Sequence, residues 1–138
     1  SKQIWRPGNM LYPVPAVLVS VADSAGKDKL NYIAWTGTVC SDPAMTYISV
    51  RKERYSHHML KKTGICNQSC VERQICRAAD FFVVCALAVI GQVRGDRFDK
   101  RKASTVNVPL VKESPVNIEC KVTQVIELGS HDMIFGKR

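Results

Sequence analysis

The side chains best equipped for chemistry lie between Trp35 and Ser56, in the stretch WTGTVCSDPAMTYISVRKERYS. Thr36, Gly37, Thr38, Ser41 and Asp42-Pro43 read as a polar loop of small groups, hydroxyls and a turn. Thr46 to Arg51 alternates as a strand does, which puts Tyr47, Ser49 and Arg51 on one face. Ser56 reads as the N-cap of a short helix over 57–62, closed by Gly64. The free backbone N–H groups of such a helix start suit a phosphate. Amides, hydroxyls, an aromatic ring and a guanidinium over so short a span fit a flat, polar-edged ligand that carries a phosphate. No Ser/His/Asp or Cys/His grouping stands at a hydrolase spacing, and there is no Walker or G-x-G-x-x-G motif. The chemistry indicated is ligand binding, with no side chain singled out as catalytic.

The elements that must hold this stretch are mostly strands. Pro7, Pro13 and Pro15 disfavour an N-terminal helix, and Pro15 to Ala22 reads as a buried strand rich in β-branched residues. Asp23 to Asp28 is a turn with Gly26 free to take positive φ, and Leu30 to Trp35 is the returning strand, so 15–35 forms a hairpin. Residues 65–70 show no usable period; Glu72 to Asp80 fits a helix, and Phe81 to Ile90 is apolar throughout. Gly91 to Lys102 is polar and basic, hence a surface loop. The clearest strand runs from Val116 to Leu128, with Val116, Ile118, Cys120, Val122, Ile126 and Leu128 on one face and Val125 as the exception. Its length suits a strand bending around a barrel. Gly129 permits a turn, after which His131 to Phe135 restarts an extended segment. A lone histidine near a turn is ordinarily just solvated; His131 joins the Trp35 stretch only if this strand end faces it, as a closed barrel allows.

The 138 residues fit one domain, and 46% hydrophobic content supplies one ordinary core. A formal charge of +8 favours anionic partners. The Phe81–Ile90 run is about half the ~20 residues of a membrane span, so a soluble chain is expected. No export signal is read at the N-terminus, and the six cysteines are expected as reduced thiols of a cytoplasmic protein. Cys66, Cys70, Cys76 and Cys85, even with His57 or His58, lack the paired C-x2-C spacing of structural zinc sites, so no metal is expected. Arg94, Arg97, Lys100, Arg101 and Lys102 form a basic cluster that Asp96 and Asp99 dilute, which favours a solvated loop over a nucleic-acid patch.

Three blocks, LYPVPAVLVSVAD (11–23), AWTGTVCSDPAMTYISVRKERYS (34–56) and SPVNIECKVTQVIELGSHDM (114–133), closely resemble the flavin reductase-like, FMN-binding split-barrel family, and within it the flavoredoxin-type proteins. The resemblance implies a mainly β fold, a six-stranded antiparallel Greek-key split barrel with short peripheral helices. It implies a single FMN-binding split-barrel domain over 1–138, from which the C-terminal part of the family domain is missing, and a homodimer with FMN near the subunit interface. The implied activity is electron transfer from NAD(P)H through bound flavin to an acceptor. Carried over by position, Trp35 resembles the aromatic neighbour of the isoalloxazine, and Thr36, Gly37, Thr38 and Val39 match the loop at the ring edge. Ser49, Arg51 and Ser56 match ribityl and phosphate positions, and His131 matches a histidine of the same pocket. The family's apolar strand is replaced by ICNQSC (65–70). Its flavin-approaching lysine falls on Gln92 or, with a shifted match to Gly95–Lys100, on Lys100. A flavin-contacting asparagine falls on Lys29, with Asn31 two residues away. Two alternatives stand beside the reductase reading: an FMN electron carrier that never meets NAD(P)H, and a basic binding module that has lost the cofactor.

Overall fold

The computed structural model describes residues 1–63, 65–70 and 100–138. The expected helix at 72–80, the apolar run 81–90, Cys76, Cys85, Gln92 and, of the basic cluster, Arg94 and Arg97 lie outside the described residues. The architecture is mainly β and antiparallel. Among the described residues its strands are β1 (Val17–Ala22), β2 (Asp28–Ile33), β3 (Thr36–Ser41), β4 (Ala44–Arg51), β5 (Ile65–Cys70), β6 (Lys100–Lys102), β7 (Pro109–Val111), β8 (Asn117–Glu127) and β9 (His131–Lys137), and its one helix is α1 (Tyr55–Thr63). Seven strands form one sheet in the order β2-β1-β5-β8-β9-β4-β3, and β6 and β7 pair as a separate ribbon. Among the described residues no helix is long and apolar enough to cross a membrane.

The β1–β2 hairpin follows from its turn chemistry. Gly26 takes φ 80°, while the Asp23 carboxylate accepts hydrogen bonds from the Ala25 and Lys27 amides at 2.9 and 2.8 Å. Every residue of β1 is buried, and for that reason its sequence does not alternate. Val17, Val19 and Val21 meet Ile33, Ile48, Val50, Cys120 and Ile134 in the main core, which Met59 and Leu60 of α1 close. A smaller cluster joins Ala22 to Val106 and Val108. The carboxylate of Glu119 on β8 ties the 104–106 segment down, accepting hydrogen bonds from the Ser104, Thr105 and Val106 amides.

Four expectations change against this frame. Thr36–Ser41 is a strand rather than a loop, paired to β4 from Thr36↔Ile48 to Ser41↔Ala44. It lies at the sheet edge, where one side of the ladder is open and small polar residues are tolerated, so its composition mimics a loop. Residues 65–70, which carry no period, form a central strand hydrogen-bonded to both β1 and β8. Lys100–Lys102 pairs with Pro109–Val111 instead of continuing a loop; the backbone makes this ribbon, and a run of cations carries no strand signature. Along β8 the alternation breaks at a register shift between Val122 and Gln124. The extra residue reverses the faces beyond it, so Val125 packs on the core while Ile126 and Leu128 are exposed.

Candidate functional site

The β4–β9 ladder positions the polar residues of the site. Ile48 and Val50 point into the core, which leaves Ser49 and Arg51 on the opposite face, and Arg51 is the direct cross-strand partner of His131. The Trp35 carbonyl, just ahead of β3, accepts a hydrogen bond from the Ser49 amide at 2.9 Å, so the indole is pinned beside β4. The Trp35 and His131 rings then meet with centroids 4.7 Å apart and planes tilted by 37°. Around this pair opens a cleft of about 190 Å³, lined by Tyr32, Trp35, Ser49, Arg51, Arg54 and His131 together with Ile33, Ala34 and Val50.

The cleft is electropositive. Two guanidiniums line it, and no carboxylate does so among the described residues. His131 is held below the ordinary histidine pKa, first by burial and then by the Arg51 and Arg54 charges, with Glu53 opposing them. Its Nδ1 lies 2.8 Å from Ser130 Oγ. Behind the cleft, the next residue of β9, Asp132, is completely buried with its carboxylate 2.7 Å from His57 Nε2. Lys52 and Lys61 approach the same carboxylate, each at 3.4 Å. Burial works against ionisation of Asp132, but the His57 hydrogen bond and the two ammoniums outweigh it and hold its pKa below the ordinary carboxylate value. This network ties α1 to the start of β9, on the side opposite His131.

Of the residues singled out from the sequence, Trp35, Ser49, Arg51 and His131 are brought together, while the others lie elsewhere. Thr36 is buried, its hydroxyl donating to the Tyr47 carbonyl at 2.6 Å. Gly37 lies under the Tyr47 ring, where a Cβ would sit 3.1 Å from Cε1. Thr38 and Val39 are exposed on the edge strand, outside the cleft lining. Asn31 pairs across β1 with Val19, and its buried Nδ2 has no hydrogen-bond partner among the described residues. Lys100 belongs to the separate ribbon. Ser56 is not the N-cap: the helix begins at Tyr55, and Ser56 sits in its first turn, 3% exposed, with an unpartnered Oγ. The preceding turn over 52–54 already starts the helix, the His57 amide donating to the Arg54 carbonyl at 3.0 Å. The helix start still borders the cleft, through Arg54. Sequence reasoning passed over Tyr32 and Arg54. The only available signal was Arg54 standing three positions after Arg51, across a turn whose shape the sequence does not specify. Lys29, on the asparagine position of the resemblance, places its ammonium 4.2 Å from the Tyr55 ring centroid.

The donor set fits a flat anionic ligand: an indole and an imidazole to stack on, a hydroxyl, and two guanidiniums to meet negative charge. Comparison with known proteins gives this chemistry a family. The flavin reductase like domain model matches residues 9–137. A relative from Aeropyrum pernix is 23% identical over 93% of the chain, which spans 49% of that protein's length. Among solved structures, a flavoredoxin of Desulfovibrio vulgaris is similar at TM-score 0.80 and 26% identity, covering 99% of this chain and 73% of its own. An NADH:FAD oxidoreductase of Streptomyces globisporus is similar at TM-score 0.79 and 22% identity, covering 91% and 72%. A Shewanella frigidimarina protein with a split barrel domain is similar at TM-score 0.76 and 17% identity, covering 90% and 64%. The fold is thus a split barrel of the flavin reductase-like type. The chain belongs to the flavin reductase-like family.

Proposed function

We propose that this protein binds FMN in the Trp35–His131 cleft and, so loaded, passes electrons from NAD(P)H to an acceptor. The observation that carries the reading is the convergence of Trp35, Ser49, Arg51 and His131 from three separate chain segments around one electropositive opening. Trp35 and His131 offer the flavin a ring-stacking wall, and Arg51 and Arg54 offer its phosphate a counter-charge. Bound flavin supplies the hydride and electron chemistry, which requires of the chain only that it orient the ring, leave one face accessible and stabilise negative charge. The choice of FMN over FAD follows the residue resemblance, and the NADH:FAD oxidoreductase neighbour supports a nicotinamide donor. By the same resemblance the working unit is a homodimer, with the flavin near the subunit boundary.

The test is titration of the purified protein with FMN, followed by flavin fluorescence and visible absorption, then rapid mixing with NADH or NADPH. Saturable quenching and bleaching of the flavin band are expected. Unchanged fluorescence up to high micromolar protein refutes flavin binding. Saturable quenching without bleaching by either nucleotide supports instead an electron carrier that takes its electrons from another protein.

A further inference from the structure

We infer that His131 is a proton-binding element of the cleft: entry of an anionic ligand beside Arg51 and Arg54 is coupled to uptake of one proton on its imidazole. The inference rests on the flavin-binding reading of the cleft and adds to it a stoichiometry that nothing in that reading requires.

Three observations carry it. First, His131 lines the opening together with both guanidiniums, and Arg51 is its cross-strand partner, so a ligand anion and the imidazole share one small volume. Second, the ring is already oriented for either protonation state. Trp35 stacks on it, and Ser130 Oγ sits 2.8 Å from Nδ1. A hydroxyl can donate to a bare Nδ1 or accept from a protonated one, so this bond survives the change of charge. Nε2 has no hydrogen-bond partner among the described residues. Third, burial first and the surrounding charges second favour the neutral ring while the cleft holds no anion, and the charges are the part that a ligand can change. Arg51 from β4 and Arg54 from the following turn disfavour the imidazolium, and Glu53 opposes them only in part. Tyr32 belongs to the lining, and Ser130, outside it, sets its hydroxyl against the imidazole. On β9 itself, Asp132 faces the other side and is already engaged by His57, Lys52 and Lys61, so it cannot supply the missing negative charge.

An anion placed among these groups reverses the balance. It satisfies Arg51 and Arg54, removes their net repulsion of a proton at His131, and adds an attraction of its own. By linkage, the histidine pKa rises on binding, and affinity falls as pH climbs through the raised value. The transfer is simple: neutral His131, one solvent proton and the ligand anion give imidazolium paired with the bound anion. No bond other than N–H is made.

The experiment is calorimetric titration with FMN near pH 6.5 in buffers of differing ionisation enthalpy, which counts protons taken up per ligand bound. It is accompanied by an NMR pH titration of the His131 ring with and without FMN. Expected are an uptake between about 0.3 and 1 proton per FMN and a His131 titration midpoint at least about half a unit higher in the complex. H131Q, which also removes part of the stacking wall, should bind FMN more weakly and take up no proton; were it to fold poorly or bind too weakly to titrate, the ring titration in the unaltered protein decides alone. FMN binding with no proton uptake and an unmoved His131 midpoint overturns the inference and leaves the flavin reading intact. Failure of FMN to bind at all removes the flavin reading and the inference with it.

Discussion

Glutamine at position 119 is expected to loosen the flap of chain that covers the end of β1. The Glu119 carboxylate accepts hydrogen bonds from Thr105 Oγ1 at 2.5 Å and from the Ser104, Thr105 and Val106 amides at 2.9, 2.6 and 3.2 Å. The Thr105 side chain and the Ser104 amide do most to lower its pKa, from an ordinary 4.5 to about 2. At 1.36 kcal/mol per unit, that shift sets a ceiling of about 3 kcal/mol. The group is part-exposed, and solvent screening brings the working value to about 1–2 kcal/mol. The sign follows from the depressed pKa: the contribution is fully present above about pH 4.5 and is lost as pH falls through about 2. Glutamine also turns an N–H group toward amides that need an acceptor. In urea, with a slope of about 1–2 kcal/mol/M, the E119Q midpoint at pH 7 should lie roughly 1 M lower. Between pH 7 and pH 3 the variant should lose less stability than the unaltered protein, because the titrating group is gone. Equal midpoints at pH 7, or the same acid loss in both proteins, would refute the reasoning.

R51Q should weaken FMN about tenfold, the low end for losing a charge-assisted hydrogen bond at an exposed guanidinium, while the melting temperature stays unchanged; an unaltered dissociation constant counts against the cleft. At Gly136 a new Cβ would stand 2.8 Å from Cys120 Cβ, so G136A should cost about 1–3 kcal/mol in urea unfolding. The C120A change should not rescue it, since the atom struck is the Cβ that alanine keeps. D132N should lower the melting temperature at pH 7, because His57, Lys52 and Lys61 lose their shared anion. That deficit should shrink as the pH falls through the depressed pKa of Asp132 and the unaltered protein loses the same interaction.

Where a segment's burial was uniform or strictly alternating, its sequence was legible. β1 reads as a buried strand because it is buried on both faces, and the first half of β8 alternates as its two environments do. Legibility failed where tertiary partners set the structure. The stretch 65–70 is a strand because β1 and β8 flank it, and β3 is one because β4 templates an edge of small polar residues. A single extra residue near Thr123 swapped the roles of Val125 and Ile126, which no periodicity count anticipates. For the site, Trp35, Ser49, Arg51 and His131 were legible as residue types. Their meeting, and the recruitment of Arg54, depended on a strand register and a turn.

That register has a dynamic consequence. Arg51 and His131 sit on neighbouring strands as direct partners, with the core residues Val50 and Asp132 paired in the next rung. A ligand gripped by both side chains acts as a clasp across the ladder, and opening these rungs then requires letting the ligand go. Amide hydrogen exchange at Val50 and Asp132 should therefore slow in proportion to ligand occupancy, while exchange in the β6–β7 ribbon keeps its own pace.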